Sequence, residues 1–540
     1  MNRRHFIGLG TSAAAGAVLG EKFAFGLAGD ATKATPGATV ATAYGKVRGL
    51  DLNNVQSFRG IPYGASTAGA ARFMPPSKPQ PWTKVRDAFE LGPRAPQDPA
   101  GLIPEVAAVD RTEPMGEDCL VLNVWTPNPG DGQKRPVMVW LHGGGFSTGS
   151  AGFTIYDGTN LSRKHDVVVV GVNHRLNVFG FLYLAEIGGE KYAHSNNIGM
   201  LDIIAALQWV RDNISSFGGD PGNVTIFGQS GGGGKVSTLM GMPGAQGLFH
   251  RAIAESGTAI KGVTRDDGIK TAEYILSKAG LKPNQIDQLQ KLPMEQLLPT
   301  MGGGGPAGNQ ALHLAPVVDG STLPKDPFHP AAPEMSASVP LLIGSVATEI
   351  AFIPNTPLDP MDDATLHQRV KQAVRGANDE QVDKLIGVYR KSEPKASNID
   401  LFLRLASDNW MWGNVSAETE RKAALGKAPA YAYYFDWRSP VRGGKLGAFH
   451  TLEIPFVFEN VDVGRSMTGS GQDRYSLSDK MSAAWVAFAR SGNPNHSGLP
   501  HWPPFNASER ATMFFDNDCR VVNDPRREER LALQAAQKTA

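Results

Sequence analysis

The chain has 540 residues, of which 41% are hydrophobic and 19% are charged, and this composition predicts a globular protein with a large packed core. Its 53 lysines and arginines nearly equal its 52 aspartates and glutamates, so the formal net charge is only +1. That balance, without long basic stretches, argues against a nucleic-acid partner and against attraction to an acidic lipid surface.

The N-terminus resembles a twin-arginine export signal. Arg3 and Arg4 are adjacent and precede a short run rich in alanine and glycine. An ordinary secretory signal with a basic start is the alternative. Glycine, serine and threonine dilute the run, which is also shorter than the ~20 apolar residues of a membrane span. We therefore predict an export signal over residues 1–28, a periplasmic or secreted mature protein, and no stable membrane insertion after signal removal.

Two kinds of strand follow the signal. Residues 36–60 alternate apolar and polar side chains, which predicts short antiparallel strands with turns at Gly45 and Gly49. From Pro136 onward the apolar runs are continuous, as in strands buried on both faces. These runs read VMVWLHGG, DVVVVGVNH, NVTIFG, VPLLIGSVA and AYAYYFDW.

Helical patterns lie between the buried strands. In IGMLDIIAALQWVRDNISSF the apolar residues recur at three and four, and further helices are predicted near 364–390 and 397–412. Strands that alternate with helices predict an α/β fold, a mostly parallel central sheet with helices on both faces, N-terminal antiparallel strands and helical insertions. No repeat or linker divides the chain, so a single domain is predicted over residues 36–535.

The stretch FGQSGGGGK, from Phe227 to Lys235, surrounds one serine with glycines. A phosphate loop is excluded, because that pattern needs glycine six positions before its lysine, where Gln229 stands. The G-x-S-x-G pattern around Ser230 matches a nucleophile turn, which must end a buried strand and begin a helix. NVTIFG supplies the strand and KVSTLMGM the helix.

A second G-x-S-x-G match, GFSTG, is centred on Ser147. It has no strand directly before it and no helical pattern directly after it. Ser230 is therefore the predicted nucleophile, and Ser147 is interpreted as a chance match.

The segment LHGGGF at 141–146 directly follows a predicted buried strand. Glycines let bare N–H groups approach a developing oxyanion to within ~3 Å. A flexible turn is the alternative. The position of this segment ahead of the Ser230 turn favours an oxyanion loop, since hydrolases that use this chemistry have the same order.

Together with several longer segments, these motifs resemble the type B carboxylesterase and cholinesterase-like family of the α/β-hydrolase fold. The segments include SFRGIPYG at 57–64, EDCLVLNVW at 117–125, NHRLNVFGF at 173–181, FGGDPGNVTIFGQSGGG at 217–233 and GAFHTLEIPFVF at 447–458. The resemblance implies a bacterial exported serine carboxylesterase that hydrolyses small-molecule esters through an acyl-enzyme intermediate.

The resemblance also assigns catalytic roles. Ser230 is implied as the nucleophile, His450 as the base and Glu349 as the acid of a Ser-His-Glu triad. Asp319 and Asp436 stay open as alternatives for the acid, since a carboxylate at any strand end could orient the imidazole.

The implied oxyanion donors are the backbone N–H groups of Gly144, Gly145 and Gly231. Animal members often have alanine after the nucleophile, where this chain has Gly231. No metal or organic cofactor is implied, and the sequence contains no HExxH motif or paired-cysteine ligand set.

The resemblance places a substrate pocket near Phe352, Trp410 and Trp412. Aromatic side chains there favour flat or bulky apolar acyl groups. Packing of the tryptophans between helices is an equal alternative, and the sequence does not select an ester.

Cys119 and Cys519 are the two cysteines of the chain. The family usually pairs the cysteine at the position of Cys119 with one upstream, but Ala95 stands in that place. Whether Cys119 and Cys519 form a bridge stays open.

Other functions stay open as well. The same triad serves an amidase or carbamate hydrolase, and a lipase acting at interfaces is a weaker option. Some family members have lost the nucleophile and act as binding proteins, although the intact residue set argues against that here.

Overall fold

The computed structural model describes residues 34–99, 101–111, 113–302 and 312–538. The predicted export signal, residues 1–28, lies outside these ranges and stays a prediction. Within them, thirteen strands join in a single sheet. The strands are β1 Thr35–Thr42, β2 Gly45–Asp51, β3 Gln56–Pro62, β4 Arg86–Asp87, β5 Val121–Thr126, β6 Arg135–Leu141, β7 Val168–Val172, β8 Gly219–Gln229, β9 Arg251–Glu255, β10 Leu341–Val346, β11 Ala430–Phe435, β12 Thr512–Phe515 and β13 Arg520–Val522.

Apart from the short strand β4, which pairs with β2 in parallel, the sheet is antiparallel at its edges and parallel in its middle. Its order is β1-β2-β3-β5-β7-β6-β8-β9-β10-β11-β12-β13, with β4 added beside β2. The seven strands from β7 to β12 in this order are parallel to one another. The pairs of β1 with β2, β2 with β3, β3 with β5, β5 with β7 and β12 with β13 are antiparallel.

Burial explains the two strand patterns. Every residue of β6, β7, β10 and β11 is buried, and successive side chains of a strand point to opposite faces. Both faces of the central sheet are therefore covered, as a parallel sheet requires. Edge strand β1 is only partly buried, and Val40 is its one fully buried residue.

The described residues contain sixteen α-helices, several of which are single turns. They are α1 Pro104–Ala107, α2 Thr159–His165, α3 Asn177–Phe181, α4 Ile198–Asn213, α5 Gly231–Met240, α6 Arg265–Lys278, α7 Ile286–Lys291, α8 Met294–Leu297, α9 Asp363–Ala373, α10 Asp379–Ser392, α11 Asn398–Ser407, α12 Gly413–Ala424, α13 Ile454–Val457, α14 Arg465–Thr468, α15 Asp473–Ser491 and α16 Arg527–Lys538. Helices α4, α5, α12 and α15 pack on the parallel strands. Together the sheet and helices form an α/β-hydrolase architecture.

Two details of the sequence prediction are wrong. Gly49 lies inside β2, and the chain instead turns at Asn53 and Asn54, which adopt the left-handed conformation that asparagine tolerates. The helix predicted over 364–390 is divided into α9 and α10, with Gly376 at a φ of 88° between them.

Both cysteines are free thiols. Cys119 and Cys519 are buried and unbridged, so the described fold does not depend on a disulfide.

The segments that carry the predicted site residues follow the carboxyl ends of three parallel strands. The glycine loop (residues 142–149) follows β6, the Ser230 turn follows β8, and Glu349 comes three residues after β10. Because the carboxyl ends of parallel strands share an edge, these three segments converge there.

Candidate active site

Ser230 forms the turn between β8 and α5. Its φ of 60° and ψ of −125° are strained for a residue with a side chain. The turn is held on both sides, because Ser230 N donates to the Glu255 carbonyl oxygen at 2.8 Å and Gly234 N donates to the Ser230 carbonyl oxygen at 3.0 Å. The side chain of Ser230 is half-buried at the sheet edge.

His450 and Glu349 form a buried pair. The Nδ1 atom of His450 is bonded to Oε2 of Glu349, and both side chains are 1% exposed. The other carboxylate oxygen, Oε1, accepts a bond from Val346 N at 3.0 Å. Since a carboxylate faces Nδ1, that nitrogen carries the proton and Nε2 is left as an acceptor.

The loops that carry this pair are tied together through the backbone. Thr348 N donates to the Ala448 carbonyl oxygen at 2.9 Å, and Thr348 Oγ1 donates to the Leu446 carbonyl oxygen at 2.7 Å. Each bond joins a residue next to or near Glu349 to one near His450. These bonds fix the two loops relative to each other, so they help to position the imidazole against the carboxylate.

The two alternative acids are engaged elsewhere. Asp319 accepts bonds from Ser321 N at 2.8 Å and Leu323 N at 3.0 Å, which stabilise its own turn. Asp436 accepts a bond from Arg404 Nη1 at 3.0 Å. Of the three candidate carboxylates, Glu349 is the one that the structure brings to His450.

The free edge of the imidazole faces the Ser230 turn. His450 Nε2 lies 3.3 Å from Nε2 of Gln229, the residue that precedes Ser230. Gln229 is buried, and its Oε1 atom has no hydrogen-bond partner among the described residues. In this arrangement the Gln229 amide, rather than the Ser230 hydroxyl, donates to His450.

The glycine loop brings free N–H groups beside this turn. Within the described part of the chain, the N–H groups of Gly144, Gly145 and Gly231 donate to no other protein group. Gly144 has a φ of 89°, and a Cβ atom there would collide with the backbone of Thr148. Glycine is therefore required for the shape of the loop at this position.

Two buried side chains fix the outer part of the loop. Asn177 Nδ2 donates to the Ser147 carbonyl oxygen at 3.0 Å, and its backbone N donates to the Phe146 carbonyl oxygen at 2.7 Å. Gln97 exchanges two bonds with the backbone of Gly149, at 2.8 and 2.9 Å. The side chain of Ser147 is exposed in this loop and is not part of the His450 group.

Two of the three predicted pocket aromatics stand against His450. The ring centroids of Phe352 and Trp410 lie 4.4 and 5.4 Å from that of His450. These two rings are stacked on each other with an interplanar angle of 7°. Trp412 lies elsewhere: it is buried and packs edge-on against Tyr434 of β11.

Two buried carboxyls that no sequence pattern indicates, those of Glu255 and Glu453, lie close to the Ser230 turn and to His450. Oε1 of Glu255 accepts a bond from Trp485 Nε1 at 2.7 Å, and Oε1 of Glu453 accepts one from Ser256 Oγ at 3.0 Å. Burial raises the pKa of Glu255 to about 8. Burial, with Glu349 and Glu255 nearby, holds the pKa of Glu453 well above its usual range.

Gln229 and Lys235 were also missed. Both flank the predicted nucleophile, but no spacing rule connects them to partners far away in the chain. The sole signal in the sequence was a lysine in a glycine run that leads into a buried helix.

The site brings together a serine at a strained turn, an oriented imidazole and free backbone N–H groups, which are the kinds of group that acyl transfer uses. Among the described residues, no group of three or more His, Cys, Asp or Glu side chains is placed to hold a metal ion. In the same part of the chain, no helix has both the length and the apolar character needed to cross a membrane.

The sheet, the turn after β8 and the buried His450–Glu349 pair define an α/β-hydrolase. The sequence profile of the Carboxylesterase family matches residues 36–534. The para-nitrobenzyl esterase of Bacillus subtilis is 35% identical over 505 residues, which is 92% of this chain and 98% of that protein. The phenmedipham hydrolase of Pseudarthrobacter oxydans is 32% identical over 511 residues, 91% of this chain and 98% of that protein.

A solved structure of an esterase is also similar to this chain. An esterase from Clostridium hathewayi, described as able to hydrolyse aliphatic aromatic polyesters, is 34% identical and has a TM-score of 0.80. The match covers 93% of this chain and 100% of that structure. The chain belongs to the carboxylesterase family, and it is a carboxylic ester hydrolase.

Proposed function

We propose that this enzyme is a serine carboxylesterase in which Ser230, His450 and Glu349 act as nucleophile, base and orienting acid. The observation that carries the proposal is the buried His450–Glu349 pair, whose free imidazole edge faces the strained turn of Ser230. No other described carboxylate bonds to His450.

The first half of the proposed reaction acylates the serine. As Ser230 Oγ attacks the ester carbonyl carbon, His450 Nε2 takes the hydroxyl proton and Glu349 stabilises the imidazolium. The carbonyl oxygen becomes an oxyanion that the N–H groups of Gly144, Gly145 and Gly231 can bind. Collapse of this intermediate breaks the bond to the alcohol oxygen, which leaves with the proton from His450.

The second half releases the acid. A water molecule gives a proton to His450 Nε2 and attacks the acyl carbon, and a second oxyanion forms against the same N–H groups. Its collapse returns the proton to Ser230 and frees the carboxylic acid. Each half requires His450 Nε2 to exchange its contact with Gln229 for one with Ser230 or water, and a 3.3 Å contact is weak enough for this.

For the substrate, we propose esters with an aromatic or bulky apolar group. The stacked rings of Phe352 and Trp410 beside His450 support this, because such a surface favours offset stacking with a flat group. The names of the relatives point the same way, since one is a para-nitrobenzyl esterase and another hydrolyses aliphatic aromatic polyesters.

The first test is hydrolysis of p-nitrophenyl acetate, butyrate and octanoate by the wild type and by Ser230→Ala. We expect Ser230→Ala to lower kcat by about 10⁵-fold or more, as loss of a catalytic serine does in other hydrolases. Ser147→Ala is the matched control, because it changes the serine of the other G-x-S-x-G segment, and it should keep its turnover.

Labelling by an organophosphate gives an independent readout. Mass spectrometry should find the label on the peptide that contains Ser230, and Ser230→Ala should remain unlabelled. A folded wild type without turnover or label would contradict the triad and favour a binding protein. Faster cleavage of a matched amide or carbamate than of the ester would instead favour the amidase or carbamate hydrolase alternative.

A further inference from the structure

Lys235 is a fully buried lysine within one helical turn and a half of the predicted nucleophile. It lies on α5, and its Nζ atom donates a hydrogen bond to the carbonyl oxygen of His142 at 2.8 Å. Among the described residues no carboxylate lies within ion-pair distance of Nζ. Burial therefore lowers the pKa of the Lys235 ammonium group to about 7.

Burying an amine without a counter-ion lowers the stability of the folded protein. Packing alone therefore does not explain why a lysine stands at this position. The proposed triad reaction does not use Lys235. Its single hydrogen-bond partner in the described residues is the first carbonyl of the glycine loop.

That carbonyl belongs to the residue that leads into the proposed oxyanion donors. The His142 ring is held in turn, because its Nδ1 atom bonds to the Gly143 carbonyl oxygen at 2.8 Å and the ring stacks on His174 at 4.9 Å. Burial, and secondly Lys235, keep the pKa of both imidazoles well below the usual range. The neutral ring of His142 thus donates from Nδ1 to the loop.

The other end of the glycine run also contacts Lys235. Its Nζ atom lies 5.6 Å from the ring centroid of Phe146, the residue that follows Gly145. The ammonium group therefore interacts with residues on both sides of Gly143–Gly145, through a carbonyl at one end and an aromatic face at the other.

We propose that Lys235 is a positioning residue, which holds the glycine loop so that the N–H groups of Gly144 and Gly145 face the oxyanion. Helix α5 begins at Gly231, which supplies the third proposed donor, so Lys235 connects the two segments that must form one binding site. This inference rests on the ester hydrolysis proposed above and adds a residue to its machinery.

A lysine that serves only as a core residue makes a different prediction from one that positions the loop. Removing a buried, unpaired amine should cost little stability, because the desolvation penalty disappears with it. Removing a positioning contact should weaken binding of the oxyanion while leaving ground-state substrate binding nearly unchanged.

The test compares Lys235→Met with Lys422→Met. Lys422 on α12 is a matched control, because it is also buried, its pKa is lowered by burial to about 8, and it donates to the backbone carbonyls of Ser336 and Ala337 instead of the glycine loop. Both variants and the wild type are assayed with p-nitrophenyl butyrate and with an alkyl trifluoromethyl ketone. That inhibitor forms a hemiketal oxyanion on the serine and so reports on the oxyanion site.

We expect Lys235→Met to lower kcat by about 10- to 100-fold, less than or near the loss on deleting an oxyanion donor. Its inhibition constant for the trifluoromethyl ketone should rise by the same factor, with KM within about threefold of the wild type. Lys422→Met should change none of these values beyond about twofold, even where its thermal midpoint shifts.

Unchanged affinity of Lys235→Met for the trifluoromethyl ketone would overturn the proposal, as would an equal loss in Lys422→Met. If Lys235→Met does not fold, Lys235→Gln, which keeps a polar N–H donor on a shorter side chain, is judged by the same two criteria. Absence of wild-type turnover would overturn the esterase function together with this inference, whereas an active wild type with a wild-type-like variant overturns this inference alone.

Discussion

Gly231 shows how closely the two segments of the site approach each other. A Cβ atom on Gly231 would collide with the carbonyl oxygen of Gly145. The position that often carries alanine in animal members of the family therefore has no room for a methyl group here. The glycine loop and the start of α5 are packed backbone against backbone.

We expect Gly231→Ala to displace the glycine loop and lower kcat by about 10- to 100-fold, because N–H donors act only at hydrogen-bond distance from the oxyanion. Steady-state kinetics with p-nitrophenyl butyrate measure this effect. Gly387→Ala on α10 is the control, since a Cβ atom there meets nothing within 4 Å. It should leave kcat unchanged and stabilise the helix by about 0.5–1 kcal/mol. Wild-type kcat in Gly231→Ala would show that the loop adapts at no cost.

At the residue scale, the sequence predicts those features of the site that depend on neighbouring residues in the chain. The strand and helix on either side of Ser230 predicted its turn, and the family resemblance of the surrounding segments implied Glu349 and His450. The contacts of Gln229 with His450 and of Lys235 with His142 span 221 and 93 residues. No local pattern records them, since each depends on how the strands are ordered in the sheet.

At the element scale, the π-helical turn Asp408–Trp412 explains why the side chains of Trp410 and Trp412 point in different directions. This turn lies between α11 and α12, and its wider winding puts Trp410 at the surface beside Phe352 while Trp412 turns toward Tyr434. The prediction of a helix over 397–412 missed the change of winding, because apolar periodicity does not distinguish a π-turn from an α-turn. Asp408, which begins the turn, is fixed by Tyr389 and Arg526 at 2.7 Å each.

Trp410→Leu should therefore change selectivity more than activity. We expect the ratio of kcat/KM for p-nitrophenyl benzoate to that for p-nitrophenyl acetate to fall about 2- to 12-fold, which corresponds to about 0.5–1.5 kcal/mol for an aromatic contact. Trp412→Phe keeps the ring packing against Tyr434 and should leave the ratio unchanged. An equal change in both variants, or none in Trp410→Leu, would remove Trp410 from the substrate surface.

At the scale of the whole molecule, buried carboxyls give the folded state a pH dependence. Glu418 on α12 is fully buried and accepts a bond from Ser237 Oγ at 2.5 Å. Burial raises its pKa to about 8, as it does for Glu255. At pH values between 4.5, the pKa of each group in the unfolded chain, and about 8, its pKa in the folded protein, each carboxyl is protonated to a greater extent in the folded state. The contribution of these two carboxyls to stability is therefore greatest below the lower value and is lost as pH rises toward 8.

Between pH 5 and pH 8 we expect the free energy of unfolding of the wild type to fall more, or rise less, than that of Glu418→Gln. The difference should be about 1.4 kcal/mol for each unit that separates the folded and unfolded pKa of Glu418. Urea denaturation at several pH values measures it. Glu380→Gln, at an exposed position of α10, should follow the wild type. Parallel curves for Glu418→Gln and the wild type would mean that Glu418 ionises without cost.

The parallel sheet itself was predictable, since strands buried on both faces leave continuous apolar runs and helices leave a three-four period. The strand order could not be predicted from the sequence. The place of β6 between β7 and β8 depends on long-range packing and not on the residues of any one strand. The same limit applies to buried carboxyls such as Glu418, whose surroundings come from α5 and α12 together.

The exposed face of Trp410 gives the protein an intrinsic optical reporter. Of the nine tryptophans, all of which lie in the described residues, Trp410 is the most exposed, at 39%. Collisional quenchers such as acrylamide should reach its indole first. Nitroaromatic rings quench indole emission on contact, so a nitrophenyl ester that stacks there would dim the fluorescence of an inactive Ser230→Ala enzyme. Occupancy of the site can then be titrated directly, in the absence of turnover.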